Sequence, residues 1–488
     1  MFYLLSFLWF LRTTKAILFW IYLWQLKEYH LGRFFDHFRT EKGKRLIYNK
    51  LNVSKLVLVF IFPFLPLLIF FLLLLFYIAE SFKVLVDLLK SQLRKPVLTL
   101  KTIFLILIGI FIEFLFLFTL SLKIEDITQF AFLLLCFDVL TPVITSLFVL
   151  LFQPMAVLGR NRIIKKAKEK RAKSGNLLVI GITGSYGKTS TKEFLYTILS
   201  QKYRVLETKE HQNSEVGIAR CLLNDLKPEH EIFIVEMGAY GKGGIKLLCD
   251  IVKPKIGIIT GVNEQHLATF GSMENLLSAE GGGELVESLP EDGSAFFNGK
   301  NKYCRELYEK TKIKKFLYGQ NVGLQGLENI EGAKMVAKEI GMTEEEIEKA
   351  VNKIENKFPG IIIKNGINGL KIIDATYSAN PDSVIAHLEY AKTLPGKKIL
   401  VMPCLIELGK ASEEVHRRIG QKIAQLADLA IITTKDRFKE IQEGAGQKAI
   451  FLENPEEIFK KIKSFCKEGD TVLLESRVPI QLIKQLEL

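Results

Sequence analysis

Three apolar runs in the first third of the chain, residues 56–79, 103–122 and 130–152, constrain its fold more than any other feature. Each is close to the ~20 consecutive residues that a helix needs to cross the hydrocarbon of a bilayer. A weaker run, residues 2–24, is interrupted by Arg12 and Lys15 and holds all three tryptophans, Trp9, Trp20 and Trp24. Tryptophan favours the membrane–water interface, where its ring is half apolar and half polar. This run reads as a span, an interfacial helix or an uncleaved anchor. Its charges fall mid-segment and no small-residue cleavage signal accompanies it, which argues against a cleaved leader. Residues 1–158 are expected to be a helical membrane region, and residues 159–175 a basic juxtamembrane linker.

Charge orients these runs. Arg160, Arg162, Lys165, Lys166, Lys168, Lys170, Arg171 and Lys173 follow the last run and place the C-terminal portion in the cytoplasm by the positive-inside rule. The expected location is the cytoplasmic membrane, multi-pass, with lipids as partners. Glu125 and Asp126 suit an external loop. Residues 80–101 suit the inner face, as an amphipathic surface helix. Residues 27–55 are also basic, yet a full span at 56–79 would put them outside; Pro63 and Pro66 leave a re-entrant course open, and with it two, three or four spans. Glu113 and Asp138 are costly inside apolar runs unless they face protein or water. They read either as a headgroup or ion site or as helix-packing contacts.

The formal net charge of +13 needs no nucleic-acid partner. Basic residues beside a membrane meet anionic headgroups, and no nucleic-acid motif is present. The six cysteines lack CxxC spacing, which excludes a zinc cluster of that type and fits reduced thiols.

The soluble part alternates short apolar runs with helical patterns. Strands are expected at 177–180, 232–236, 256–260 and 294–297, with helices at 193–199, 217–225 and 273–289 and a helical pair at 331–340 and 343–356. A second unit has strands at 371–375, 399–402, 429–433 and 471–474. Such alternation indicates mostly parallel sheets covered by helices. The fold class is therefore an α-helical membrane region followed by α/β. It comprises a parallel-sheet domain at 176–358, which carries the phosphate loop and ATP site described next, and a smaller, Rossmann-like C-terminal domain at 359–488, hinged at Pro359-Gly360.

Between the first strand and its helix lies Gly181-Ile182-Thr183-Gly184-Ser185-Tyr186-Gly187-Lys188-Thr189-Ser190. Glycines there let backbone N–H groups turn around a phosphate, and the following helix N-terminus adds its positive dipole end. Lys188 would reach the outer phosphates and Thr189 would bind Mg²⁺. Gly181 stands one residue too early for the usual spacing. Glu236, ending the neighbouring strand, is a second Mg²⁺ ligand candidate. His266 lies beyond the next strand, at the end of the sheet where ligands bind.

Thr183–Thr189, Glu236-Met237-Gly238 and His266-Leu267 before Phe270-Gly271-Ser272 resemble the ATP-dependent Mur ligases of peptidoglycan synthesis. Tyr377-Ser378-Ala379-Asn380-Pro381-Asp382-Ser383 and Glu407-Leu408-Gly409, followed by His416, resemble their D-alanyl-D-alanine-adding branch. The resemblance covers residues 176–488. It implies that ATP phosphorylates a carboxylate and that an amine then attacks the acyl phosphate to form an amide. It also implies that Thr183, Gly184, Ser185, Tyr186, Gly187, Lys188, Thr189 and Ser190 hold the nucleotide's phosphates. Thr189, Glu236 and His266 would bind Mg²⁺, and Asn298 would contact adenine. Asp374, Tyr377 and Asn380 would approach from the C-terminal domain.

The departures are specific. Where the family carries a carbamylated lysine, this chain has Ser278-Ala279-Glu280-Gly281-Gly282-Gly283-Glu284, and Glu280 is the candidate replacement, acting with Lys188 and His266 in catalysis. Paired aspartates become Asp374-Ala375, and an expected Gly-Arg becomes Gly360-Ile361. The family's UDP-binding N-terminal domain is replaced by the apolar region. The implied substrates are a muramoyl-peptide precursor, UDP- or lipid-linked, and D-alanyl-D-alanine or a similar amine, with other wall-synthesis enzymes as neighbours. The competing reading is a catalytically degenerate, nucleotide-binding scaffold or regulator at the membrane.

Overall fold

The computed structural model describes residues 1–487 except 28, 30, 39, 40, 91, 92, 210, 211, 321–326, 355–360 and 377–379. Tyr377, with Ser378 and Ala379, and the Pro359-Gly360 junction lie outside the described residues. The chain divides into two compact units, Met1–Arg160 and Asn161–Leu488.

The first unit is helical: α1 (Phe2–Leu26), α2 (Leu31–His37), α3 (Glu41–Ile47), α4 (Lys50–Ile61), α5 (Pro66–Leu89), α6 (Leu100–Lys123) and α7 (Ile127–Leu151), leading into α8 (Gln153–Lys173). Among the described residues, four helical stretches are long and apolar enough to cross a membrane: Phe2–Leu26, Pro66–Leu89, Leu100–Lys123 and Ile127–Lys173. The run at 56–79 is not one helix. The chain turns at 62–65 and restarts with Pro66 in the first turn of α5, where its missing N–H costs nothing. The apolar helix then continues through residues expected to lie on the inner surface.

Helix directions follow from paired contacts. Phe2 packs edge-on against Phe130 at 5.0 Å, and the Trp24 indole N–H donates to Ser146 at 3.0 Å, so α1 and α7 run parallel. Arg12 meets Glu80 at 2.5 Å and Lys15 meets Asp87 at 2.7 Å, so α5 runs the same way. Thr14 donates to Glu113 at 2.8 Å and Gln25 to the Val97 carbonyl at 3.0 Å, so α6 runs opposite. Lys55 meets Asp138 at 2.5 Å and Phe62 packs on Phe132 at 5.0 Å, so α4 also runs opposite to α7.

The second unit holds two sheets. In the first, β1 (Leu178–Thr183), β2 (Val205–Glu207), β3 (Ile232–Glu236), β4 (Ile256–Ile259), β5 (Ser294–Asn298) and β6 (Lys314–Tyr318) pair in the order β2-β3-β1-β4-β5-β6, all parallel. Its helices are α9 (Lys188–Leu199), α10 (Glu215–Asn224), α11 (Gly244–Val252), α12 (Leu267–Phe270), α13 (Met273–Ser278), α14 (Gly283–Glu287), α15 (Lys302–Lys310), α16 (Glu328–Glu339) and α17 (Glu344–Val351). Parallel strands buried on both faces read as near-continuous apolar runs, and Ile180, Ile182, Phe233, Ile234, Ile258 and Phe296 are fully buried.

The expected helix at 273–289 is two helices, α13 and α14, separated by Gly281 and Gly282. Gly282 adopts φ +93° against Ile259, leaving no room for a side chain. The second sheet orders β7 (Ile362–Asn365), β8 (Lys371–Ala375), β9 (Lys398–Met402), β10 (Leu429–Ile432), β11 (Ala449–Phe451) and β12 (Thr471–Glu475) as β11-β10-β9-β12-β8-β7. Only β7 is antiparallel. Helices α18 (Pro381–Thr393) and α19 (Ser412–Leu426) pack on this sheet.

The stretch expected as a basic linker is helical to Lys173. Lys170 donates to the Leu223 and Leu226 carbonyls at 3.0 and 2.7 Å, and Arg171 to the Val252 carbonyl at 2.7 Å. Two charges assigned to headgroups thus satisfy orphan carbonyls at the C-terminal ends of α10 and α11.

Candidate active site

The central strand of the first sheet, β1, lies between β3 and β4, so its C-terminal end is the sheet's middle. The loop from Thr183 to Gly187 turns there into α9. Gly184 (φ +147°) and Gly187 (φ +80°) supply backbone that side chains resist. The turn is pinned from below: Ser185 N–H donates to the Gly261 carbonyl at 2.7 Å, and the Thr260 hydroxyl donates to the carbonyls of Thr183, at 3.1 Å, and Tyr186.

Beside the loop, the Thr189 hydroxyl donates to Glu236 Oε2 at 2.9 Å, and Asn213 Nδ2 donates to Glu236 Oε1 at 3.1 Å. The two expected Mg²⁺ ligands are therefore adjacent, and Asn213 orients the carboxylate. Lys188 folds back to donate to the Gly184 carbonyl, and Ser190 sits in the first turn of α9. The residues fit a phosphate group. The Ser185 hydroxyl and Asn329 Oδ1 are buried without hydrogen-bond partners, and the Asn329 side chain lies where a Cβ on Gly187 would meet it, at 3.0 Å. Such orphaned buried atoms carry a cost that a polar ligand would remove.

A second group gathers around His266, whose φ of +66° starts α12. Its Nδ1 is 3.1 Å from the buried Glu280 carboxylate, and its Nε2 is 3.8 Å from Glu407 of the C-terminal domain. The break between α13 and α14 presents Glu280, and the Glu280 carbonyl accepts from the Thr183 hydroxyl at 3.4 Å. Glu284 is different: it accepts from the N–H groups of Gly243, at 2.6 Å, and Lys246, at 2.9 Å, and so caps α11. Of the two acidic side chains in this segment, Glu280 alone meets His266.

The C-terminal domain meets this surface through several contacts. Asn263 Nδ2 donates to Asn380 Oδ1 at 3.0 Å and to Asp382 at 2.9 Å, and Arg418 holds Glu264 at 3.2 Å. The Ala268 N–H donates to the Glu407 carbonyl at 3.0 Å. Asn380 is the N-cap of α18 and accepts from Asp382 and Ser383 N–H groups. Its side chain thus serves the helix start and the domain contact together.

Asp374 accepts from Thr376 and is paired with Lys364 at 2.9 Å. Burial acts to raise its pKa, but the Thr376 hydrogen bonds and the Lys364 ammonium outweigh it and hold the carboxyl below its ordinary range. Asn298 is buried, donating to the Thr260 carbonyl at 2.7 Å and accepting from Lys300 N–H at 3.0 Å. Tyr186 is also buried; burial and then Asp382 push its phenol up, while a hydrogen bond from Asn301 opposes them.

Comparison with known proteins gives this geometry its context. Residues 182–366 match the Mur ligase middle domain, and residues 361–477 match the Mur ligase, glutamate ligase domain. The chain belongs to the Mur ligase family. That family consists of ATP-dependent ligases. The chain is 29% identical to the UDP-N-acetylmuramoyl-tripeptide–D-alanyl-D-alanine ligase of Synechocystis sp. over 328 residues, 61% of this chain and 71% of that protein. It is 27% identical to the enzyme of the same name from Bacillus subtilis over 335 residues, 61% of this chain and 72% of that one.

Among solved structures, MurF ligase from Thermotoga maritima in complex with ADP matches with a TM-score of 0.57 at 26% identity, covering 67% of this chain and 83% of that one. MurF from Acinetobacter baumannii matches in fold with a TM-score of 0.60 at 23% identity, covering 67% and 79%.

Within this Mur ligase chain, the sequence reading missed Asn213, Asn263 and Asn329 as parts of the site. Single asparagines on loops or helices carry no periodicity. Only their positions beside Glu236, Asn380 and Gly187 reveal them.

Proposed function

We propose that this Mur ligase is a membrane-anchored, ATP-dependent amide ligase of peptidoglycan precursor synthesis. The observation that carries the reading is a phosphate loop with the Thr189–Glu236 pair beside it, whose Thr183 hydroxyl reaches the carbonyl of Glu280, the partner of His266, which Glu407 approaches from the second domain. A muramoyl-peptide carboxylate oxygen attacks the γ-phosphorus of ATP, the bond to the β-phosphate oxygen breaks, and ADP leaves. The amine nitrogen of D-alanyl-D-alanine then bonds to the acyl carbon, phosphate departs, and the nitrogen loses a proton.

Lys188 stabilises charge on the transferring phosphoryl group. Thr189 and Glu236 would hold one Mg²⁺ and His266 would serve a second, and such ions would supply positive charge against the phosphates. Glu280 supplies a fixed carboxylate beside His266. Asp374, Tyr377 and Asn380 are the C-terminal domain's candidates for contacting the nucleotide, and Asn298 is the candidate for contacting adenine. The two domains, at 176–358 and 359–488, exclude water from the acyl phosphate when closed. The multi-pass region at 1–158 holds the enzyme at the cytoplasmic membrane, with its catalytic domains in the cytoplasm.

The test is phosphate release by the detergent-purified full chain with Mg²⁺-ATP. UDP-linked and lipid-linked muramoyl peptides are supplied in turn, each with and without D-alanyl-D-alanine, and products are weighed. Release that requires both substrates, with the amide product, supports the ligase and shows its carrier. Nucleotide binding without turnover under every pairing would sink it in favour of the nucleotide-binding scaffold, a reading to which Ala375 and Ile361 lend weight.

A further inference from the structure

The directions of the helices in Met1–Arg160 assign each end of the bundle a charge. The C-terminal ends of α1, α5 and α7 and the N-terminal end of α6 share one end. There Gln25 meets Val97, and Phe104 packs edge-on against Phe152 at 5.1 Å. The connecting segments at that end carry Lys44, Arg45, Lys90, Arg94 and Lys95, and the chain leaves the unit there through Arg160. The opposite end carries the start of α1, the turn at 62–65, and the 123–127 connection with Glu125 and Asp126.

The conflict over residues 27–55 therefore disappears. The described residues between α1 and α4 are at the basic end, and α4 carries the chain back before α5 descends. With 12 residues, α4 is about 18 Å long, short of the ~30 Å of a hydrocarbon layer. Beside the end of α1, α2 is tucked against the bundle: Phe34 stacks on Trp24 at 3.9 Å with 9° between the rings. Lys55 anchors α4 at mid-depth, 2.5 Å from both Glu80 and Asp138. Arg12 is 3.8 Å from Asp138 as well as bonded to Glu80. Two cations and two carboxylates from four helices neutralise one another, the arrangement that charges inside hydrocarbon require. Phe60, Phe71, Leu75, Phe82, Phe111 and Phe118 are exposed on the outside of the bundle.

We propose that Met1–Arg160 sits in a bilayer as five inserted segments, α1 and α4 to α7. Its N-terminal end is on the external face, and its basic end lies against the anionic headgroups of the inner face. The proposal rests on the membrane placement proposed above and adds the orientation and the fifth segment.

Single substitutions Tyr3→Cys, Tyr48→Cys, Lys95→Cys and Glu125→Cys place thiols at exposed positions. Intact spheroplasts expressing the full chain are treated with a membrane-impermeant maleimide, before and after permeabilisation, and labelled peptides are resolved by mass so that native cysteines do not interfere. The expected result is labelling at 3 and 125 from outside, and at 48 and 95 only after permeabilisation. Labelling at 48 from outside, or protection at 3, would overturn the orientation while leaving the membrane placement standing. Release of the wild-type chain by a carbonate wash would instead remove the membrane placement and this proposal with it.

Discussion

At the residue scale, neighbouring side chains of one type do different work. Glu280 and Glu284 are four residues apart, yet one faces His266 and the other caps α11. Glu280→Ala should therefore abolish amide formation while the melting temperature holds, whereas Glu284→Ala should lower stability by about 1 kcal/mol, the worth of a helix cap. Product assay and thermal unfolding check the pair; full activity in Glu280→Ala would remove its proposed role. Lys188→Ala should lose at least about 100-fold in kcat, the scale of removing one positioned charge donor, with the chain still folded.

His416 is a positioning candidate. Its Nε2 accepts from the Leu405 N–H at 2.9 Å, and its Nδ1 donates to the Ser412 carbonyl at 2.6 Å, so the neutral ring braces the loop that carries Glu407. Burial holds its pKa below the ordinary 6.5, the Ser412 contact opposing. Below 6.5 the unfolded chain takes up a proton that the folded chain refuses. This contribution to stability is full above 6.5 and is lost as pH falls through the folded value. Denaturant titrations across that window should show a steeper acid loss for wild type than for His416→Gln. Equal slopes would remove His416 from the account.

At the element scale, long and strongly patterned pieces were legible in sequence. Strands β1, β3, β4, β5, β8, β9, β10 and β12 fall on the expected apolar runs, because strands buried on both faces must be apolar throughout. The edge strands β2, β6, β7 and β11 were not foreseen. They are short or half-exposed, as in Lys314–Tyr318 and Ile362–Asn365, and only pairing with a neighbour makes them strands. The break between α13 and α14 is set by a tertiary contact, the passage of Ile259 under Gly282. Gly282→Ala would add a side chain at φ +93° against that strand. It should destabilise the fold by about 1–2 kcal/mol and depress ligation further by shifting Glu280, measurable as a fall in kcat in the folded fraction. The phosphate loop was legible because its chemistry is contiguous in sequence. The Asn263–Asn380 contact joins residues 117 positions apart and was not.

At the scale of the whole molecule, the two compact units predict two unfolding transitions. Saturating Mg²⁺-ATP should raise the one belonging to Asn161–Leu488, by about 2.7 kcal/mol of added stability at a hundredfold excess over Kd, and leave the other in place. Scanning calorimetry in detergent reads both, and a nucleotide effect on neither transition would count against the phosphate site. The charge cluster of the helical unit also bears on how the chain is made. Synthesis delivers Arg12 first, then Lys55, then Glu80, and Asp138 last. In the bilayer placement proposed above, until α7 emerges the cluster would hold two cations against a single carboxylate, and the unmatched charge would cost about 2.5–3.5 kcal/mol at mid-bilayer. Assembly would thereby be timed by electroneutrality: the earlier helices would not settle as a unit before the last apolar helix, α7, had been delivered.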